Sequence, residues 1–205
     1  MAGVYAANTF GAIVGALGAC LLLVAWVGSE RTEQVLIGLS IIAGLLLLLP
    51  SKPRWSGLGW SGLSLVGTAV LLAGFLFFTV PPIPKLLIAY GRYAATWAGK
   101  GDIVYAAEGL NSSVAVSSFP NGVLTFHVAG KIQASNVPRD MRLQRMLGHL
   151  TTLTAADPRS VLVIGCGAGI TAGAVSIDPR VERETIVEIE PLVPKACLLY
   201  TSRCV

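Results

Sequence analysis

Three glycines and one glutamate are the residues of this chain best placed to hold a small molecule. Gly165, Gly167 and Gly169 follow the apolar run Val161–Ile164, and Glu188 ends the next apolar run. Glycines let the backbone approach a ligand closely, and a carboxylate at the end of the second strand can accept hydrogen bonds from ribose hydroxyls. The pattern therefore predicts a nucleoside-binding turn between a strand and a helix.

The spacing of the glycines favours one class of nucleoside. In the dinucleotide-binding fingerprint the third glycine would stand one position later, where this chain has Ile170. The turn therefore favours an adenosyl ligand of the S-adenosylmethionine type over NAD. A tight strand–helix turn without any ligand is the alternative that the residues leave open.

Alternating apolar and polar residues ahead of the turn predict a small antiparallel sheet over residues 102–136. The runs Ser113–Ser117 and Val123–Val128 are strand-like, and Asn121-Gly122 between them is typical of a hairpin. A second turn at residues 129–131 leads to the run Ile132–Ala134.

The glycine turn lies in a segment that alternates between helix and strand patterns. Arg139–Thr154 has apolar residues at helical spacing, and strands are predicted at Ser160–Ile164 and Thr185–Glu188. Two parallel strands are fewer than the roughly five of a doubly wound sheet. We therefore expect residues 137–205 to be the N-terminal part of an adenosyl-binding, Rossmann-type domain that is truncated here.

The N-terminal 80 residues have the composition of a membrane region. Their only charged residues are Glu30, Arg31, Glu33, Lys52 and Arg54. Apolar segments at about residues 9–28, 34–50 and 62–80 approach the ~17–25 residues that a membrane-spanning helix needs. The sequence predicts three transmembrane helices, and then an interfacial or linker helix over residues 81–101, where the prolines at 81, 82 and 84 mark the boundary.

The charges that flank the apolar segments indicate an orientation. Placing the C-terminal part in the cytoplasm puts four basic residues inside and Lys52 and Arg54 outside. We therefore expect a multi-pass protein of the cell inner membrane with a cytoplasmic soluble domain. The basic residues form no run with interleaved aromatics, which disfavours nucleic-acid binding, and the four cysteines have no metal-binding spacing.

Several segments, in this order and spacing, resemble the spermidine synthase family of polyamine aminopropyltransferases, and look most like its membrane-fused bacterial form. They are Glu108–Val114, Val128–Gln133, Met146–His149, Val161–Gly169 and Val187–Pro191, with Tyr5–Ala12 similar to the membrane part of the fused proteins.

The resemblance implies a small β-domain followed by a methyltransferase-like doubly wound sheet. It implies transfer of an aminopropyl group from decarboxylated S-adenosylmethionine, a co-substrate rather than a bound cofactor, to a polyamine such as putrescine. Carried over by position, Gln133 and Gln144 would contact the donor, the turn Gly165–Gly169 would face its sulfonium end, and Glu188 would hold the ribose. The family's catalytic aspartates are expected downstream of Val205. The resemblance also leaves open that the protein forms a homo-oligomer.

Two positions depart from the family pattern, and two other functions therefore stay open. Ala168 stands where the family has an aspartate in the turn, and Leu143 replaces a tyrosine that faces the substrate. One alternative is a membrane transporter or sensor that binds an adenosyl ligand or polyamine without turnover. A small-molecule methyltransferase is another, which fits the turn and Glu188 but not the hairpin region Ser113–Gln133.

Overall fold

The computed structural model describes residues 2–48 and 60–200. These residues belong to two compact units, residues 1–83 and 84–205.

The described part of the first unit is helical up to Phe78. Helix α1 (Ala2–Gly18) continues through a π-helical segment (Ala19–Leu23) into α2 (Val24–Leu48), and α3 covers Trp60–Phe78. Within α2, Gly28 has non-helical backbone angles, with φ 81° and ψ 170°.

One helix in the described residues, Ala2–Leu46, is long and apolar enough to cross a membrane, and Gly67–Phe78 is a shorter apolar helix. The described residues therefore do not show three separate spans. The first two predicted segments are joined without a loop, since no proline lies between them. Gly28 breaks the helical backbone close to the predicted end of the first segment.

The second unit begins with short helices rather than with the single interfacial or linker helix that the sequence predicts. Helix α4 (Lys85–Tyr90), a 3₁₀ turn (Gly91–Tyr93) and α5 (Ala94–Trp97) follow one another. Tyr90 is buried against the neighbouring sheet, and its ring stacks on that of Trp97 with centroids 5.0 Å apart. These two aromatic side chains therefore pack on protein, because the sheet offers them an apolar surface.

A four-stranded antiparallel sheet follows, where the sequence predicts a small antiparallel sheet. Its strands are β1 (Asp102–Glu108), β2 (Ser113–Ser118), β3 (Leu124–Val128) and β4 (Lys131–Ser135), hydrogen-bonded in chain order. Gly122 in the predicted hairpin has φ 78°, the left-handed conformation that an Asn-Gly turn supplies.

The rest of the unit is built around a parallel strand pair of the Rossmann type. Its elements are α6 (Pro138–Thr154), β5 (Ser160–Ile164), α7 (Ile170–Ser176), β6 (Arg183–Val187) and α8 (Leu192–Tyr200). Gly148 lets α6 approach α7, since a Cβ there would lie 2.6 Å from the carbonyl oxygen of Thr171. Helix α8 covers the antiparallel sheet, and Val193 and Ala196 pack with Phe126 in a shared core.

Candidate functional site

The three predicted glycines form a turn between β5 and α7 that only glycine adopts readily. Gly165, Gly167 and Gly169 have φ values of 89°, 50° and 76°, all in the left-handed region. Side chains with a Cβ are strained in this region, so the backbone conformation itself requires glycine at each position.

The turn is also open on the side where two of its glycines lack a side chain. A Cβ built on Gly165 or on Gly167 would meet no atom within 4 Å. The space beside the turn is therefore free for a ligand to approach the backbone.

Glu188 lies directly after β6 and is held at this turn by both of its carboxylate oxygens. One oxygen accepts a hydrogen bond from the backbone N–H of Cys166 at 2.7 Å, and the other accepts one from the N–H of Glu190 at 3.1 Å. The backbone N–H of Gly165 donates to the carbonyl of Val187 at 2.8 Å, which joins the two strand ends. Each carboxylate oxygen keeps acceptor capacity for a further hydrogen bond, so an oriented acid faces the turn.

The thiol of Cys166, inside the turn, is not suited to act as a nucleophile. Burial, and secondly the negative charge of Glu188, raise the pKa of this thiol. Because the thiolate is the reactive form, the thiol stays protonated and inert at neutral pH.

The two glutamines predicted at the site lie on different elements. Gln144 is beside the turn's helix, since its backbone carbonyl oxygen accepts a hydrogen bond from the Thr171 hydroxyl at 3.1 Å. Its side-chain amide donates to the carbonyl of Asp140 within the same helix, at 3.2 Å. Gln133 is exposed on β4, and within the described residues no hydrogen bond joins it to the glycine turn.

The two positions that depart from the family pattern have opposite environments. Ala168 is only 6% exposed and packs in the core with Val193 and Ala196, so its side chain points away from the open side of the turn. Leu143 is 58% exposed on α6. A carboxylate at position 168 would therefore be buried among apolar groups.

Sequence reasoning did not assign a role to Glu190, which the structure places beside Glu188. Its carboxylate is buried and accepts backbone hydrogen bonds from the loop between β1 and β2. The only sequence signal was a second acid two positions after the first, which by itself indicates nothing. In the described residues no three His, Cys, Asp or Glu side chains lie close enough together to hold a metal ion.

Comparison with known proteins gave matches among solved structures only. No family model matches the chain, and no curated protein matches it. The chain is similar to the crystal structure of a spermidine synthase in complex with the transition state analogue AdoDATO, at 24% identity and a TM-score of 0.44. It is similar to the spermidine synthase from Thermotoga maritima with the same two values. Each match covers 48% of this chain, which spans about one third of the length of those structures, 33% and 34%.

Proposed function

We propose that the second unit binds an adenosyl compound at the turn Gly165–Gly169 and Glu188. The observation that carries this proposal is the carboxylate of Glu188, hydrogen-bonded to the turn through the N–H of Cys166. An adenosyl ligand lying in the open space beside Gly165 and Gly167 would bring its ribose hydroxyls to this oriented acid.

We further propose that the whole protein is a membrane-tethered aminopropyltransferase of the spermidine synthase type. This part is supported by the sequence resemblance. In that reaction the amine nitrogen of a polyamine such as putrescine attacks the methylene next to the donor's sulfonium. A C–N bond forms, the C–S bond breaks, and methylthioadenosine leaves with the sulfur electron pair.

The proposed chemistry asks the protein mainly to position its two substrates. The amine must lose its proton to become a nucleophile, and it must lie in line with the C–S bond. We propose that Gln133 and Gln144 contact the aminopropyl donor. To do so, Gln144 would first turn its side-chain amide away from the carbonyl oxygen of Asp140.

We also propose that the first unit anchors the protein in the cell inner membrane by several passes, with the second unit in the cytoplasm. The apolar helix Ala2–Leu46 supports the anchoring. At ~1.5 Å per residue it is far longer than a bilayer core of ~30 Å, so two passes would require a reversal within it. The interruption at Gly28 is the natural place for one.

A second candidate function is a transporter or sensor that binds the adenosyl compound without turnover. Its specific support is Ala168, which is buried in the core and leaves the turn without an acid to hold the donor's amine. A small-molecule methyltransferase also fits the turn and Glu188, but it gives no role to the four-stranded sheet.

Binding measurements test the adenosyl proposal, and product analysis separates its variants. Isothermal titration of the full chain in detergent should show binding of methylthioadenosine and weaker or no binding of NAD. Tighter binding of NAD would reject the adenosyl assignment. Release of methylthioadenosine from decarboxylated S-adenosylmethionine by the protein in the presence of putrescine would support the transferase over the binding protein.

A further inference from the structure

Glu190 is a buried acid whose hydrogen bonds reach a distant part of the chain. It is 2% exposed. One carboxylate oxygen accepts the backbone N–H groups of Asn111 at 2.9 Å and Ser112 at 3.2 Å, and the other accepts that of Leu192 at 3.1 Å. A buried carboxylate is costly unless it is hydrogen-bonded in this way, so these contacts hold the loop before β2 firmly against the end of β6.

A second contact fastens the same loop to the same strand end. The side-chain amide of Asn111 donates to the carbonyl oxygen of Ile189 at 2.8 Å. The connection between β1 and β2 of the antiparallel sheet is thus bound, by side chain and by backbone, to the residues that directly follow Glu188.

Gly109 shows how closely the loop approaches this carboxylate. Its φ is not among the positive values found at the turn glycines, so an alanine could adopt its backbone conformation. A Cβ on Gly109, however, would overlap the carboxylate of Glu190. Glycine is required here to make room for Glu190, in contrast to the glycines of the turn, which are required by conformation.

Glu190 also contacts the acid proposed to bind the ribose. Its backbone N–H donates to a carboxylate oxygen of Glu188 at 3.1 Å, and the other oxygen of Glu188 accepts from the turn. The side chain of Glu190 therefore holds the loop, while its backbone orients Glu188.

We propose that Glu190 is a positioning residue, which fastens the loop 109–112 to the end of β6 and thereby fixes Glu188 for recognition of a ribose with both hydroxyls. This inference rests on the proposed adenosyl site. It adds that Glu190 and the loop 109–112 determine selectivity for a ribose that carries both hydroxyls.

The test compares methylthioadenosine with its 2′-deoxy analogue on the full chain in detergent. In Glu190→Ala the affinity for methylthioadenosine should fall about tenfold, a loss of about 1.4 kcal/mol. The preference over the deoxy analogue should also fall, because the end of β6 that carries Glu188 and the N–H of Glu190 is no longer fastened to the loop 109–112. Glu190→Gln, which keeps one carbonyl acceptor, should retain the fold and show an intermediate loss. Glu182→Ala, which removes an exposed carboxylate just before β6, is the matched control.

Equal loss of affinity for both ligands would show that Glu190 only supports the fold, and would overturn the inference. Unchanged affinity and preference in Glu190→Ala would overturn it as well.

A measurement without ligand separates failure of this inference from failure of the adenosyl site. Gly109→Ala should lower the melting temperature of the wild-type chain but have little effect in Glu190→Ala, where the space is free. Amide exchange of Asn111 and Ser112 should accelerate in Glu190→Ala. Suppose that the wild-type chain binds no adenosyl compound while the melting temperatures and the amide exchange change as expected. In that case the role of Glu190 in ribose recognition is rejected, and its role in fastening the loop 109–112 stands. If Gly109→Ala and Glu190→Ala lower the melting temperature additively, and amide exchange of Asn111 and Ser112 is unchanged in Glu190→Ala, then Glu190 does not fasten the loop.

Discussion

The carboxylate of Glu188 accepts a hydrogen bond from the backbone N–H of Cys166 at 2.7 Å. An acid at the end of β6 therefore closes a glycine turn at the end of its parallel neighbour β5. Hydrogen bonds of backbone N–H groups to a carboxylate are among the stronger ones in proteins, so the acid is oriented before any ligand arrives.

Replacing Glu188 should weaken binding of adenosyl compounds more than it weakens the fold. Glu188→Ala should reduce the affinity for methylthioadenosine by about 1.5–3 kcal/mol, the range for hydrogen bonds to a charged group. Isothermal titration measures this, with Asp157→Asn as a control at an exposed acid. Unchanged affinity would mean that Glu188 does not bind the ribose.

Alanine should be tolerated at one glycine of this region and not at another. Gly167→Ala forces a Cβ into a left-handed conformation with φ 50° and should destabilise the protein by about 1–2 kcal/mol. Gly173→Ala lies within α7, where a Cβ meets nothing within 4 Å, and should stabilise it by about 0.5–1 kcal/mol. Urea unfolding of both variants checks the contrast. If both substitutions changed the free energy of unfolding equally, the left-handed conformation of Gly167 would be contradicted.

Gly148 should be intolerant of even one methyl group. A Cβ there would lie 2.6 Å from the carbonyl oxygen of Thr171 and 2.8 Å from the Cβ of Ala174, so α6 and α7 would have to move apart. Gly148→Ala should cost about 1–3 kcal/mol of stability, as overpacking usually does, despite the better helix propensity of alanine. A gain in melting temperature would show that the two helices are not packed so closely.

Acid should destabilise the second unit through His127. This side chain is fully buried, and its Nε2 lies 2.9 Å from the hydroxyl of Ser117 and 2.8 Å from that of Thr125. Burial lowers the pKa of His127 to about 4. Because the pKa in the unfolded chain is about 6.5, the contribution to stability is complete above that value and is lost as the pH falls toward 4.

The expected loss at pH 4 is roughly 2–3 kcal/mol relative to pH 7. Urea unfolding at several pH values measures it. His127→Gln should be less stable at pH 7 but should show a shallower pH dependence between 6.5 and 4. The same slope in both proteins would mean that other groups cause the acid sensitivity.

The helix Ala2–Leu46 should hold the protein in membranes. The expressed chain should sediment with the membrane fraction and resist extraction by alkaline carbonate. Cys20 is exposed on the apolar helix and has a free thiol, so a membrane-impermeant maleimide should label it only after detergent is added. Recovery in the soluble fraction without detergent, or labelling of Cys20 in intact membranes, would contradict a membrane-embedded helix.

Features that depend on neighbouring residues could be predicted from the sequence. The four-stranded sheet, the Asn121-Gly122 hairpin, α6 and the strands on either side of the glycine turn lie where the patterns place them. Alternation, helical spacing and turn residues report local sterics and one-sided burial, which do not depend on the rest of the fold. The membrane region was predicted less well, because composition marks apolar segments but does not show whether a helix stops between them.

Contacts between distant residues were decided only by the tertiary structure. Nothing local in the sequence shows that Ala168 packs into the core, or that Tyr90 and Trp97 stack on the sheet. Glu190 and Asn111 are 79 positions apart, and their hydrogen bond exists only because two sheets meet at that edge. Which residues form turns, strands and helices could be predicted from the sequence alone, because those preferences depend on atoms within a few bonds of each other. Which acid faces a ligand and which holds a loop depends on the packing of whole elements, and so only the fold distinguishes Glu188 from Glu190.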